Sequence, residues 1–210
     1  MCNAMKTVTE TEIIQFLRQN VKPIKDEFFG SGYRAAVVLK DGTELPCVIF
    51  RNPNKTIDLA IKRFKEEQTG KSIFANKTNG FGYREIVKTF VTSGNCLNSY
   101  DIAEIKESRF AIPFDELKKI HGETAMSWTA FVIEFKDQRK LSFGTNWSNE
   151  FFDLPQDFNF NNISKIYSGC YLSKDNELIP HKSLENLKEL DKYQKIYRER
   201  QFFECYVENL

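Results

Sequence analysis

The run Ala35-Ala36-Val37-Val38-Leu39-Lys40-Asp41-Gly42-Thr43-Glu44-Leu45-Pro46-Cys47-Val48-Ile49-Phe50 decides the fold class. Two apolar stretches rich in β-branched residues flank Asp41-Gly42. Asp-Gly between such stretches is the strongest short-range hairpin signal, because glycine takes the left-handed backbone of a tight turn without steric cost. The pattern predicts strands over 35–40 and 43–50.

Working outward, helices flank this hairpin. Thr9 followed by Glu12 forms a capping box, and Ile13, Phe16, Leu17 and Val21 then share one helical face, which predicts a helix over 9–20 ended before Pro23. After the hairpin, Asn52-Pro53-Asn54 breaks the strand. Ile57, Ala60, Ile61 and Phe64 follow at helical spacing, so a helix is expected over 55–67, closed near Gly70. Residues 68–82 read as a long glycine-bearing loop, 83–92 and 101–106 as strands, and 113–122 as a short helix with Pro113 at its start.

A second hairpin is expected from 127–136 and 140–144 across Asp137-Gln138-Arg139, with weaker turn chemistry and therefore a longer loop than the first. The segment 145–162, rich in Asn, Asp and aromatic residues, reads as packed but irregular. A strand over 163–172, a long amphipathic helix over 184–200 and a short strand at 202–207 complete the chain.

The two hairpins echo one another. Val37 to Gly42 with Leu45 resembles Ile133 to Gln138 with Leu141 at an offset of 96, and Asp101 to Ile105 resembles Asn162 to Ile166 at an offset of 61. The expected architecture is α+β: two antiparallel hairpin-based units related by a weak internal duplication, with N-terminal, inserted and C-terminal helices around them. One assembly over 1–210 is expected, with halves at 24–112 and 113–180 and the terminal helix at 183–200. The blander reading is that exposed hairpins often carry Lys-Asp turns.

Composition excludes several functions. Thirty basic residues against 29 acidic ones leave a net charge of +1, which argues against a dedicated nucleic-acid binder and a polybasic membrane protein. No apolar run approaches the roughly 18 to 20 residues of a spanning helix, and Met1 to Glu10 lacks a continuous apolar stretch. No membrane partner and a cytoplasmic location are expected. Five cysteines (Cys2, Cys47, Cys96, Cys170, Cys205) form no C-x-x-C pair and read as reduced, mostly buried thiols. Nineteen Phe and eight Tyr against three Met imply a core built from rings, which are also residues that interfaces use.

Catalytic signatures are sparse. His121, beside Gly122 and Glu123, is the candidate general base of a small hydrolase or transferase; the competing reading is a helix-terminal histidine near the dipole. His181 reads as a solvated loop residue and Cys47 as core. There is no G-x-S-x-G elbow, phosphate loop or metal-ligand spacing, so neither metal nor cofactor is expected.

Nucleic acid enters as an alternative partner because charge is uneven. Residues 51–88 hold nine Lys or Arg against four acids, and Lys62, Arg63, Lys65, Lys71, Lys77, Arg84 with the rings Phe81 and Tyr83 would form the contact. Asn79-Gly80-Phe81-Gly82-Tyr83 is similar to the Gly-aromatic core of the RNA-recognition strand but departs at Asn79, Arg84 and Ile86, and the surrounding elements are in the wrong order, so no family is identified. Trp147, in a polar setting with Phe151 and Phe152 close by, is the candidate partner surface, whereas Trp128 lies within a strand and reads as core. The leading expectation is a non-enzymatic binding or accessory protein that contacts another protein through this aromatic loop. Self-association through the apolar stripe of the C-terminal helix is a further expectation.

Overall fold

The computed structural model describes residues 7–26, 30–68, 95–121, 123, 128–146, 148–181 and 192–210, and of Asp26, Arg63, Phe64 and 66–68 the backbone alone. Its helices are α1 (Glu10–Asn20), α2 (Pro53–Gln68) and α3 (Phe114–Leu117). The strands are β1 (Ile24–Asp26), β2 (Gly30–Leu39), β3 (Glu44–Arg51), β4 (Cys96–Leu97), β5 (Ile102–Glu107), β6 (Thr129–Phe135), β7 (Lys140–Thr145), β8 (Ile163–Ser168), β9 (Cys170–Leu172), β10 (Leu178–Pro180), β11 (Ile196–Arg198) and β12 (Phe203–Tyr206). Helices and sheets combine in the α+β manner. The chain divides into two compact units, Met1–Lys106 with Phe203–Leu210, and Glu107–Phe202.

In the first unit the expected capping box starts α1: the Glu12 N–H donates to Thr9 Oγ1 (3.3 Å) and the Thr9 N–H donates to the Glu12 carboxylate (2.7 Å). Two orphan amides are thereby satisfied at the helix start. Ile13 and Leu17, four residues apart on one face, are fully buried in a core with Ala35, Val37, Val48, Phe50, Ile102, Cys205 and Val207. The sheet runs β1-β2-β3-β12-β4, with β5 also along β2. β2 and β3 form the predicted antiparallel hairpin, while β12 lies between β3 and β4 and is parallel to both. Period-2 alternation along β12 and the residue after it sends Cys205 and Val207 into the core.

The second unit has a four-stranded sheet, β11-β7-β6-β8, and a two-stranded one, β10-β9. β6 and β7 are the second predicted hairpin. Its apolar face carries Phe131, Ile133, Phe135 and Phe143, which pack with Ile112, Phe152, Leu154 and Phe160. Phe131 and Phe143 stack at 5.3 Å, and Phe152 meets Phe131 edge-on at 5.1 Å. The irregular 145–162 segment thus supplies Phe152, Phe158 and Phe160 to the core.

Four expectations change. Asp41-Gly42 is not a two-residue turn, because the Leu39 N–H reaches the Thr43 carbonyl (2.8 Å) and brackets Lys40, Asp41 and Gly42, with only Gly42 left-handed (φ 86°). The helix expected over 113–122 is the single turn α3, continued only by short i to i−3 bonds from Lys119 and Ile120. The strand expected over 163–172 is broken by Gly169 (φ 73°) into β8 and β9. Of the helix expected over 184–200, residues 193–200 are not helical: Ile196–Arg198 is β11, parallel to β7. Tyr193 and Tyr197 are four apart, a spacing that helical and strand periods both satisfy. The loop at 68–82 from residue 69 onward, the strand at 83–92 and the rest of the terminal helix lie outside the described residues.

Candidate interaction surface

Phe151 and Phe152 are 0% exposed, so neither ring is displayed to a partner. This corrects their expected role: Phe152 sits among Phe131 and Phe143, and the Phe151 ring lies 6.0 Å from that of Phe202. Trp147 lies outside the described residues, as do Lys71, Lys77, Phe81, Tyr83 and Arg84. Lys62 and Lys65 are exposed on α2, and of Arg63 the backbone alone is described.

The described groups suited to chemistry divide between exposed ones, among them His121 and Cys96, and buried ones. His121 is exposed; its main-chain N–H donates to Ser168 Oγ (2.9 Å), and that hydroxyl donates to the His121 carbonyl (3.1 Å). No described residue is hydrogen-bonded to its ring, and Glu123 is exposed. His181 is buried rather than solvated: it meets Tyr171 edge-on at 5.2 Å, and burial pushes its pKa down. Cys47 is buried, as expected of core. Burial pushes the Cys170 thiol up and the Cys205 thiol up to about 12, away from the thiolate a nucleophile needs. Burial likewise raises the Tyr171 and Tyr206 phenols to about 12. Among the described residues no three His, Cys, Asp or Glu side chains form a metal-holding group.

Trp128 packs with Ala130, Tyr171 and Tyr193, as its strand position predicts. Its indole N–H donates to the Tyr171 hydroxyl, and the Arg198 guanidinium lies 4.4 Å from the ring centroid.

The outer side of the 153–158 loop carries an arrangement that sequence reading missed. Arg200 lies over the Phe110 ring at 4.1 Å, and Arg109 lies over the same ring at 5.0 Å. Arg109 Nη2 donates to the Pro155 carbonyl (2.7 Å), and more weakly to those of Leu154 and Phe158 (both 3.4 Å). Phe158 in turn lies under Arg139 at 3.9 Å and packs edge-on against Phe135 at 4.8 Å. The result is one continuous strip, Arg200–Phe110–Arg109–Phe158–Arg139.

Carboxylates hold the two ends. Arg200 Nη1 donates to Asp153 (2.7 Å), Arg139 Nε donates to Asp137 (2.8 Å), and Arg139 Nη1 donates to Asp157. The Arg139 hydrogen bonds hold the Asp137 carboxyl below its ordinary range. Phe110 and Phe158 are half-buried, with their inner edges against the unit's core. Arg139 Nη2 also donates to the Asp157 carbonyl (3.1 Å), so the guanidinium is held in place on its ring and loses little freedom when it meets a partner.

Neither a family model, nor a curated protein, nor a solved structure matches the chain.

Proposed function

We propose that the chain is a non-enzymatic binding or accessory protein whose contact surface is the guanidinium–phenyl strip on the outer side of its aromatic segment. The observation that carries this reading is the stacking of three arginines on two half-buried rings. Arginine and large aromatic residues dominate interface hot spots, and rigid stacked pairs give up little entropy on binding. Burial raises the Cys170 and Cys205 thiols and lowers the His181 pKa, which supports binding over catalysis at these groups. A photo-reactive residue at exposed Gln156, beside the strip, is expected to cross-link one protein in living cells. The same residue at exposed Lys174 should not. Equal cross-linking from both positions, or none from Gln156, would contradict the assignment.

The same reading takes the two units as copies of one β module. In the first hairpin Gly42 donates to the Leu39 carbonyl, Thr43 to the Asp41 carboxylate and Lys40 to the Asp101 carbonyl. In the second, Gln138 donates to Phe135, Arg139 to the Asp137 carboxylate and Lys136 to the Asn162 carbonyl, at the sequence offsets of 96 and 61. Val37 faces Leu45 as Ile133 faces Leu141. A 3-10 turn precedes β5 and β8 alike, each of these strands flanks the first strand of its hairpin, and a parallel strand flanks the second. An experimental structure in which β5-β2-β3-β12 and β8-β6-β7-β11 fail to superpose would remove the duplication.

A further inference from the structure

We propose that the partner meets the guanidinium–phenyl strip with aromatic side chains laid on the outer faces of Arg139 and Arg200, an inference that rests on the strip being the contact surface and names the chemistry it selects. The hydrogen bonds of Arg139 carry the argument. Each of its three guanidinium nitrogens donates within the unit: Nε to Asp137 (2.8 Å), Nη1 to the Asp157 carboxylate and Nη2 to the Asp157 carbonyl (3.1 Å). One face lies over Phe158, 3.9 Å from the ring centroid. The side chain is still 46% exposed, so the face turned away from Phe158 is the part of the guanidinium left to a partner. Arg200 follows the same plan, with Nη1 on Asp153 (2.7 Å), one face over Phe110 at 4.1 Å and 34% of the side chain exposed.

Charge narrows the choice. The three guanidiniums of the strip, Arg109, Arg139 and Arg200, stand with three exposed carboxylates, Asp137, Asp153 and Asp157, each in contact with an arginine. An incoming carboxylate or phosphate would meet these acids, and an incoming lysine would meet the arginines, so neither sign of charge is favoured. An aromatic ring needs no in-plane N–H and no net charge. Its electron-rich face is attracted to the guanidinium, which is weakly hydrated and already held flat on its own ring. An aliphatic side chain can cover the same face but lacks that attraction. The docked state is a ring–guanidinium–ring sandwich at Arg139, with the inner ring supplied by Phe158.

The full chain, isotopically labelled on nitrogen, is titrated with four peptides of one scaffold in which serine and glycine alternate with tyrosine, leucine, glutamate or lysine, and the arginine Nε–H resonances are followed. The tyrosine peptide is expected to bind saturably and to move the Arg139 and Arg200 resonances upfield, as a ring placed over the guanidinium requires. Its affinity should exceed that of each other peptide by about threefold or more, the worth of a cation–ring contact at an exposed site. Arg139→Lys with Arg200→Lys should lower it by a similar factor, with thermal melts establishing that the variant is folded. No binding of the tyrosine peptide, arginine resonances that stay in place, equal binding of the leucine peptide, or tighter binding of the glutamate or lysine peptide would each overturn the proposal. If one of these results accompanies cross-linking of a protein from Gln156, the strip is a contact surface of another chemistry; if cross-linking fails as well, the contact surface itself is removed.

Discussion

Gly144 has no side chain because β7 passes directly under two rings at that point. A Cβ there would stand 2.6 Å from the Trp128 ring and 2.9 Å from the Tyr171 hydroxyl. Gly144→Ala must therefore displace a Trp–Tyr pair that is hydrogen-bonded to itself, and is expected to cost about 1–3 kcal/mol in urea unfolding; unchanged stability would mean that the rings are not packed this way. His181, against the same Tyr171, carries a pH dependence. Burial disfavours its charged form, so its folded pKa lies below the ordinary histidine value of about 6.5. The stability of the neutral ring is then present above 6.5 and lost as pH falls below that value toward the folded one. The urea midpoint should drop from about pH 7.5 to about pH 5.5, and His181→Phe should flatten that drop. A profile of the same slope in the variant would show that burial of His181 does not govern it.

At the scale of elements, the two hairpin loops differ at one informative residue. Both close through the same hydrogen bonds, but the left-handed position holds Gly42 in the first (φ 86°) and Gln138 in the second (φ 69°). A side chain in that region strains the backbone, so Gln138→Gly should stabilise the second unit by roughly 0.5–1 kcal/mol and Gly42→Gln should destabilise the first by a similar amount. Thermal shifts of the same sign for both changes would contradict the shared loop geometry. These hairpins, with α1 and α2, were legible in sequence because their signals are local: an Asp-Gly between apolar runs, a capping box spanning three residues, an apolar row at helical spacing. β11 was not, because the spacing of Tyr193 and Tyr197 suits a helix equally well. The burial of Phe151 and Phe152 was hidden for a related reason, since an irregular segment has no period to show which side chains point inward. The strip was illegible altogether. Arg109, Arg139 and Arg200 are separated by 30 and 61 residues, and only the folded second unit brings them to neighbouring rings.

For the whole molecule, the last strand matters out of proportion to its length. β12 follows β11 of the second unit but is paired with β3 and β4 of the first, and it supplies Cys205 and Val207 to that core. Deleting Phe203–Leu210 should therefore remove amide exchange protection from β3 and from α1, whose Arg18 also donates to the Asn209 carbonyl (3.0 Å). Protection of β6 and β7 should persist; its loss would contradict the division into two units.

The central claim is that the guanidinium–phenyl strip binds a protein. The most direct measurement is to isolate the tagged chain from its own cells beside Arg139→Ala/Arg200→Ala and Arg139→Lys/Arg200→Lys variants, and to quantify every co-isolated protein by mass spectrometry. The exposed ion pairs these changes remove are worth only about 0–1 kcal/mol each, so folding should be retained. A protein present in stoichiometric amount with the parent chain and lost from both variants is the predicted result, because lysine keeps the charge but cannot reproduce the planar stack. A partner recovered equally from all three proteins, or none from the parent chain, would contradict it.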